Sequence, residues 1–209
     1  MVQGPVVVVL AAGRGTRFGA GGDGGHKLQQ PFGDSTVLGT TLAMVQASGL
    51  PLVVVTTEAL HDSVAAQVAE ADIVVLPADG VDAPRQGMGW SIASGVTARP
   101  HARGWLLLPG DMPLVQPATL QALVAALPQH LVVYAQHRGR RGHPVGFGPE
   151  LYSELAMLSG DEGARRLLAR YPVQGVEVPD GGVLLDIDTE ADLQQLRSQR
   201  VTSSDAAAA

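Results

Sequence analysis

The stretch Val6-Val7-Val8-Val9-Leu10-Ala11-Ala12-Gly13-Arg14-Gly15-Thr16-Arg17-Phe18-Gly19 decides the fold class. Its opening run of valines closed by leucine reads as a strand buried on both faces, the pattern of a parallel sheet. The run breaks into a glycine-rich loop that extends to His26. Open α/β sheets bind ligands beyond the carboxyl ends of their strands, so a loop of this kind is the first place to look for chemistry.

Outward from this stretch the pattern alternates. Helices are predicted at Ser35–Gln46, Glu58–Ala69, Met88–Val96 and Pro117–Ala126, the last with proline in its first turn. Strands are predicted between them at Leu52–Val55, Ile73–Leu76 and Trp105–Leu108. The alternation predicts an α/β fold with a mostly parallel, Rossmann-like sheet flanked by helices. The last third is more mixed. Strands at Leu131–Ala135 and Pro144–Phe147 are expected to form a hairpin whose tip carries Arg138, Arg140 and Arg141. Helices at Glu150–Leu158 and Glu162–Arg170, strands at Val173–Val178 and Val183–Leu185, and a closing helix at Glu190–Arg197 complete the reading. One domain is expected over 1–200, with the small, polar tail 201–209 disordered.

Composition narrows the function. A 209-residue chain buries enough surface to fold without metal or disulfide, and with Cys 0 it has no thiolate zinc site or cysteine nucleophile. This fits a reducing cytoplasm. No apolar run reaches the ~20 residues of a membrane helix, and the opening valines lack the basic region of a signal peptide. The net charge of −6, with scattered basic residues, argues against a nucleic-acid-binding surface. Gly 26 is well above the usual share, and the glycines cluster. Lys27 is the only lysine among 14 basic residues, which marks a position that needs a compact ammonium.

Three clusters carry candidate chemistry. In the first, the glycines after Leu10 let backbone N–H groups turn toward an anion, and Arg17 and Lys27 can neutralise a polyphosphate. It is not a Walker loop, because His26 precedes Lys27 and Leu28 follows it. Nor is it the dinucleotide fingerprint, because Phe18 stands where the third glycine belongs. In the second, Asp111 of Leu108-Pro109-Gly110-Asp111-Met112-Pro113 follows a buried strand, as a Mg²⁺ ligand facing phosphates or as the cap of a turn. In the third, Asp186 and Asp188 of Asp186-Ile187-Asp188-Thr189-Glu190 alternate at a strand end, one a second metal ligand and the other a helix cap.

These elements occur in order with Gly87-Met88-Gly89-Trp90-Ser91, Arg141-Gly142-His143-Pro144-Val145 and Gly160-Asp161-Glu162-Gly163-Ala164-Arg165. Together they resemble the molybdenum cofactor cytidylyltransferase family, within the nucleotidyltransferases that include molybdopterin-guanine dinucleotide synthase. The resemblance runs from about Val6 to Arg197. It implies a nucleotide site of Leu10, Ala11, Ala12, Gly13, Arg14, Gly15, Arg17, Lys27, Met88, Gly89, Ser91 and Gly110, with Arg17, Lys27 and Asp111 catalytic. It implies Mg²⁺, or Mn²⁺ in its place, on Asp111 and Asp188 with Asp186 in reserve. His143, Pro144, Asp161 and Arg165 would face the acceptor.

The implied reaction joins CMP from CTP to the terminal phosphate of molybdenum-molybdopterin and releases pyrophosphate, with delivery to a molybdenum hydroxylase apoenzyme. The alternatives are guanylyl transfer, another phosphorylated acceptor, or a non-catalytic cofactor carrier. The chain departs from the family pattern in the longer Gly19–Gly25 loop and in Leu28-Gln29-Gln30-Pro31-Phe32. Cytidine over guanosine rests on Ala12, where guanylyltransferase relatives carry glycine.

Overall fold

The structure is a computed structural model that describes residues 4–13, 18, 26–77 and 87–207, with side chains to residue 198. Its strands are β1 (Val6–Leu10), the two-residue β2 (Pro31–Phe32) and β3 (Ser35–Thr36), β4 (Leu52–Thr57), β5 (Ile73–Leu76), β6 (Trp105–Pro109), β7 (Val132–His137), β8 (Arg140–Phe147) and β9 (Val173–Glu177). The helices are α1 (Val37–Ala47), α2 (Glu58–Ala65), α3 (Met88–Thr97), α4 (Pro117–Ala126), α5 (Tyr152–Ala156), α6 (Arg165–Arg170) and α7 (Glu190–Ala207).

Seven strands form one sheet in the order β5-β4-β1-β6-β8-β7-β9. β5, β4, β1 and β6 run parallel, β8 is antiparallel to both its neighbours, and β9 is parallel to β7. Strand alternation divides the core in two. Val7 and Val9 pack with Leu42 of α1, Leu60 of α2, Leu123 of α4 and Leu193 of α7. Val6 and Val8 pack on the other face with Ile92 and Val96 of α3, Leu155 of α5 and Leu167 of α6. Helices on both faces leave β1 completely buried from Val6 to Val9, which explains why no polar residue interrupts it.

The order places the topological switch between β1 and β6. The chain leaves β1 toward β4 and β5, then returns to lay β6 on the other side, with Leu10 paired to Pro109. The crevice beyond these two strand ends is where such a sheet takes its ligand.

Three expectations are corrected. Val183–Leu185 is not a strand: Gly181–Leu184 forms a 3₁₀ turn, capped by the Asp180 side chain accepting from the Gly182 N–H. The turn follows from close approach, since a Cβ on Gly182 would lie 2.1 Å from the Leu114 carbonyl oxygen. The two helices expected over 150–170 shrink to α5 and α6, because Gly160 and Gly163 adopt positive φ and turn the chain between them. Finally, the closing helix expected over Glu190–Arg197 runs from Glu190 to Ala207, because its serines and alanines contain no helix breaker. The β7–β8 hairpin forms as expected, turning at Arg138 and Gly139.

Candidate active site

Asp111 is set at the switch point by main-chain bonds on three sides. The Gly110 N–H donates to the Leu10 carbonyl at 2.9 Å, and the Thr41 hydroxyl of α1 donates to the Gly110 carbonyl at 3.0 Å. The Asp111 carbonyl accepts from the Ile187 N–H at 3.1 Å, which brings the third cluster against the second. A side chain at 110 would press on the Leu10 carbonyl at 3.2 Å and on Leu38 at the same distance, so glycine lets the two strand ends meet.

Lys27 reaches this point from the far end of the glycine-rich loop. It opens a 3₁₀ turn, Lys27–Gln29, whose cap is His26. His26 Nδ1 accepts from the Leu28 N–H at 3.3 Å, which assigns the proton to Nε2, and Nε2 lies 2.9 Å from the Gly13 carbonyl that it serves as donor. The imidazole therefore ties the lysine turn to the exit of β1. Lys27 Nζ donates to Asp111 Oδ2 at 2.6 Å and to Asp188 Oδ1 at 3.1 Å. Burial works against its charge, but Asp111 and then Asp188 outweigh that penalty and raise its pKa above the ordinary 10.5. The ammonium is charged throughout the neutral range.

Two carboxylates on one ammonium leave the trio with a net negative charge. Asp111 Oδ1 is buried and has no hydrogen-bond partner among the described residues. An acceptor oxygen in that state fits a hard divalent cation, which takes oxygen ligands from one or two carboxylates and completes its shell with phosphate. Asp111 and Asp188, which meet at Lys27, are the residues that would hold it. No group of three or more acidic or histidine side chains forms a complete protein cage among the described residues.

The segment from Asp186 to Asp188 is not a strand edge. Thr189 and Asp192 share the cap: the Asp192 carboxylate accepts from the Thr189 N–H at 2.7 Å, and the Asp192 N–H donates to the Thr189 hydroxyl at 3.2 Å. Asp192 also accepts from the Asp188 N–H at 3.2 Å, so the cap fixes the backbone that presents Asp188 to Lys27. Asp186 is exposed and acts electrostatically on His143.

The wall beside the crevice is built from two of the glycine motifs pressed together. In the crossover from β5 to β6, α3 points its N-terminus toward the carboxyl ends of the strands. There the Gly89 N–H donates to the Gly160 carbonyl at 2.8 Å. A Cβ on Gly89 would lie 2.6 Å from the Ser159 carbonyl oxygen, and one on Gly87, which has φ 95°, would lie 2.4 Å from Asp161 Oδ1. Met88 stands exposed beside them, and Ser91 is buried with its hydroxyl directed at the Gly87 carbonyl. Thus Met88, Gly89, Ser91 and Asp161 share one wall. Arg165 is exposed on α6, and no contact among the described residues joins Asp161 or Arg165 to Lys27 or Asp111.

His143 lies in β8, its peptide to the buried Pro144 cis. Solvent reaches the ring, but protein surrounds it on its other sides. Desolvation lowers its pKa below the ordinary 6.5, against the opposing fields of Asp111 and Asp186 and with that of Arg141. His143 thereby belongs to the same electrostatic neighbourhood as Asp111. Leu10, Ala11, Ala12, Gly13 and Gly110 lie at the carboxyl ends of β1 and β6, beside the switch point. Arg14, Gly15, Arg17 and the 19–25 loop lie outside the described residues.

Three side chains that shape the region escaped the sequence reading. His26 and Asp192 position Lys27 and Asp188, and the only signals were a histidine beside the lone lysine and the Thr-x-x-Asp spacing of a cap. Asp180 is buried yet satisfied, accepting from the Gln116 N–H at 2.8 Å, the Thr119 hydroxyl at 2.6 Å and the Gly182 N–H at 2.9 Å. It holds the start of α4, and its role is structural.

Comparison with known proteins agrees with this fold. The family model described as MobA-like NTP transferase domain matches residues 7–176. The crystal structure of Rv0371c from Mycobacterium tuberculosis H37Rv is 34% identical, with TM-score 0.77 over 94% of this chain and 99% of that one. A second structure, of Rv0371C in complex with manganese, is matched at 32% identity and TM-score 0.74, over 95% of this chain and 100% of that one. Purine catabolism protein PucB of Bacillus subtilis is 34% identical over 117 residues, 54% of this chain and 57% of PucB. Bifunctional protein GlmU of Alkalilimnicola ehrlichii is 38% identical over 125 residues, 60% of this chain and 26% of GlmU. The matches thus span little more than half of the first curated relative and about a quarter of the second.

Proposed function

The chain belongs to the MobA-like NTP transferase family, and from that premise we propose that it transfers CMP from CTP to the terminal phosphate of molybdenum-molybdopterin, yielding the cytosine dinucleotide and pyrophosphate. The observation that carries the nucleotidyl-transfer part is the convergence of Lys27, Asp111 and Asp188 at the switch between β1 and β6. Proteins named for purine catabolism and as a bifunctional GlmU both match this chain in part, so the match alone does not name the acceptor. The choice of acceptor rests on the Gly-His-Pro-Val and Gly-Asp-Glu-Gly-Ala-Arg motifs, and the choice of base on Ala12.

Asp111 and Asp188 would hold Mg²⁺, with Mn²⁺ able to replace it, as the manganese complex of Rv0371C supports. A metal bound there would supply positive charge against the transferring phosphoryl group. Lys27, cationic at neutral pH, supplies a positive charge for the triphosphate, and the peptide groups of Ala11–Gly13 border the base. Arg17 is assigned to the triphosphate by the same reading.

A terminal phosphate oxygen of the acceptor attacks the α-phosphorus, the bond to the β-phosphate oxygen breaks, and pyrophosphate leaves with the electron pair. The attacking phosphate is already anionic, so the chain needs neither a nucleophile nor a general base; positioning and charge neutralisation suffice. Both carboxylates favour an enzyme over a carrier, because a carrier has no transferring phosphoryl group to stabilise. The product would pass to a molybdenum hydroxylase apoenzyme.

The test is pyrophosphate release with Mg²⁺ and molybdenum-loaded molybdopterin, with CTP, GTP, ATP and UTP offered in parallel. Release with CTP supports the reading. Preference for GTP moves the chain to guanylyl transfer and removes the weight placed on Ala12. No release with any nucleotide overturns the assigned acceptor.

A further inference from the structure

The reaction proposed above has to bring an anionic acceptor phosphate against a triphosphate, in a cleft whose described charges are mostly negative. Asp111 and Asp188 already share Lys27, and Asp186 adds a further carboxylate near His143. A cation on the acceptor side that no carboxylate has claimed would offset this charge.

Arg141 meets that description. It is exposed on β8, and its guanidinium lies over the Tyr134 ring of β7, 4.8 Å from the centroid. A guanidinium whose carbon sits over a ring keeps N–H donors for hydrogen bonds to an anion such as phosphate. No ion pair to Arg141 is formed among the described residues. The stack is a built feature. The Tyr134 hydroxyl donates to Gln136 Oε1 at 3.1 Å, and Gln136 Nε2 donates to Glu177 Oε2 of β9 at 2.9 Å.

Tyr134 also pairs with Gly175 of β9, where a Cβ would lie 2.4 Å from Gln136 Oε1 and 3.0 Å from the Tyr134 hydroxyl. Only glycine leaves room for the ring and its partner. Three residues of β8, Gly142 to Pro144, bulge out opposite Ala135, and β8 reaches them from the Leu107–Val145 pair with the carboxyl end of β6 alongside. The bulge thus links the stacked cation to the crevice.

We propose that Arg141, held over the Tyr134 ring, anchors the terminal phosphate of the acceptor and so selects phosphorylated acceptors. This rests on the nucleotidyl-transfer reading of the same cleft. Tyr134 is a positioning residue, acting through the guanidinium it carries. Arg140, one residue earlier and directed to the opposite face by strand alternation, is the control.

The experiment pairs kinetics with a binding measurement. Steady-state turnover is measured for the intact chain and for Arg141→Gln, Tyr134→Leu, Tyr134→Phe and Arg140→Gln, with molybdenum-loaded molybdopterin and CTP varied separately. Arg141→Gln is expected to raise the acceptor KM about tenfold or more, the loss of one charge-assisted hydrogen bond, while the CTP KM stays within about twofold. Tyr134→Leu is expected to raise the acceptor KM in the same direction and Tyr134→Phe to restore it, because the ring carries the cation. Arg140→Gln is expected to match the unaltered chain.

In parallel, inorganic phosphate is titrated against the ¹⁵N-labelled arginine side-chain resonances, read with and without Arg141→Gln. Turnover with an unchanged acceptor KM in Arg141→Gln overturns the anchor and leaves the transfer reading standing. Absence of turnover combined with a phosphate-dependent shift of Arg141 overturns the acceptor and upholds the anion site. Absence of both overturns both.

Discussion

Lys27 Nζ lies 2.6 Å from Asp111 Oδ2, although 84 positions separate the two in sequence. The contact closes the crevice between β1 and β6, and the same ammonium reaches Asp188 at 3.1 Å. Asp111→Asn keeps the shape and one oxygen but removes the charge that a divalent cation needs. Turnover is expected to fall by about 10²-fold or more, with circular dichroism and melting temperature near those of the unaltered chain. Wild-type turnover in this variant would remove Asp111 from the metal site.

Lys27 tests the electrostatics from the other side. In Lys27→Met the carboxylates of Asp111 and Asp188 lose their shared cation, at a cost of about 1–3 kcal/mol measured by urea unfolding at pH 7. Because the folded pKa of Lys27 is raised, its contribution is fully present below 10.5 and is lost as pH rises through the folded value. The stability difference between the two proteins is therefore expected to be flat from pH 7 to 10 and to shrink above that. Lys27→Arg is expected to lose activity as well, since a planar guanidinium does not reproduce a compact ammonium between two carboxylates.

Gly89 tests the wall. Its α-carbon faces the backbone of Ser159, which has no flexible end to move aside, so Gly89→Ala is expected to destabilise the fold by about 1–3 kcal/mol despite alanine's higher helix propensity. A melting temperature equal to or above that of the unaltered chain would contradict the close packing of α3 on the 159–163 loop.

His143 should titrate below 6.5, and NMR of its ring resonances reads this directly. Asp111 and Asp186 raise its pKa while Arg141 lowers it, so Asp186→Asn is expected to move the midpoint further down and Arg141→Gln to move it up. Shifts of the same sign in both variants would refute the arrangement of charges. Between the folded value and 6.5 the unfolded chain binds more proton. The stability contribution of this residue therefore falls as pH drops through that window and is flat above it.

Much of this was legible in the chain because local and global signals agree. The β1 and α4 boundaries follow from an uninterrupted apolar run and from Pro117, and both coincide with the elements observed. Val183–Leu185 misled because three apolar residues after two glycines look like a strand, while the close approach of Gly182 to Leu114 belongs to tertiary packing. Among the site residues, the singularity of Lys27 and the strand-end placement of Asp111 pointed to the cleft. The contact of Lys27 with Asp188 spans 161 positions, and no spacing rule encodes it. The stack of Arg141 on Tyr134 was invisible for the same reason, since it depends on a bulge in β8 and on Gly175 in a third strand.

The most direct measurement is Mn²⁺ binding by electron paramagnetic resonance in the presence of CTP, on the unaltered chain and on Asp111→Asn and Asp188→Asn. If Lys27, Asp111 and Asp188 form a metal-nucleotide site, one Mn²⁺ binds per chain with CTP, and each substitution weakens binding by about tenfold or more. Equal Mn²⁺ affinity in all three proteins would contradict the account.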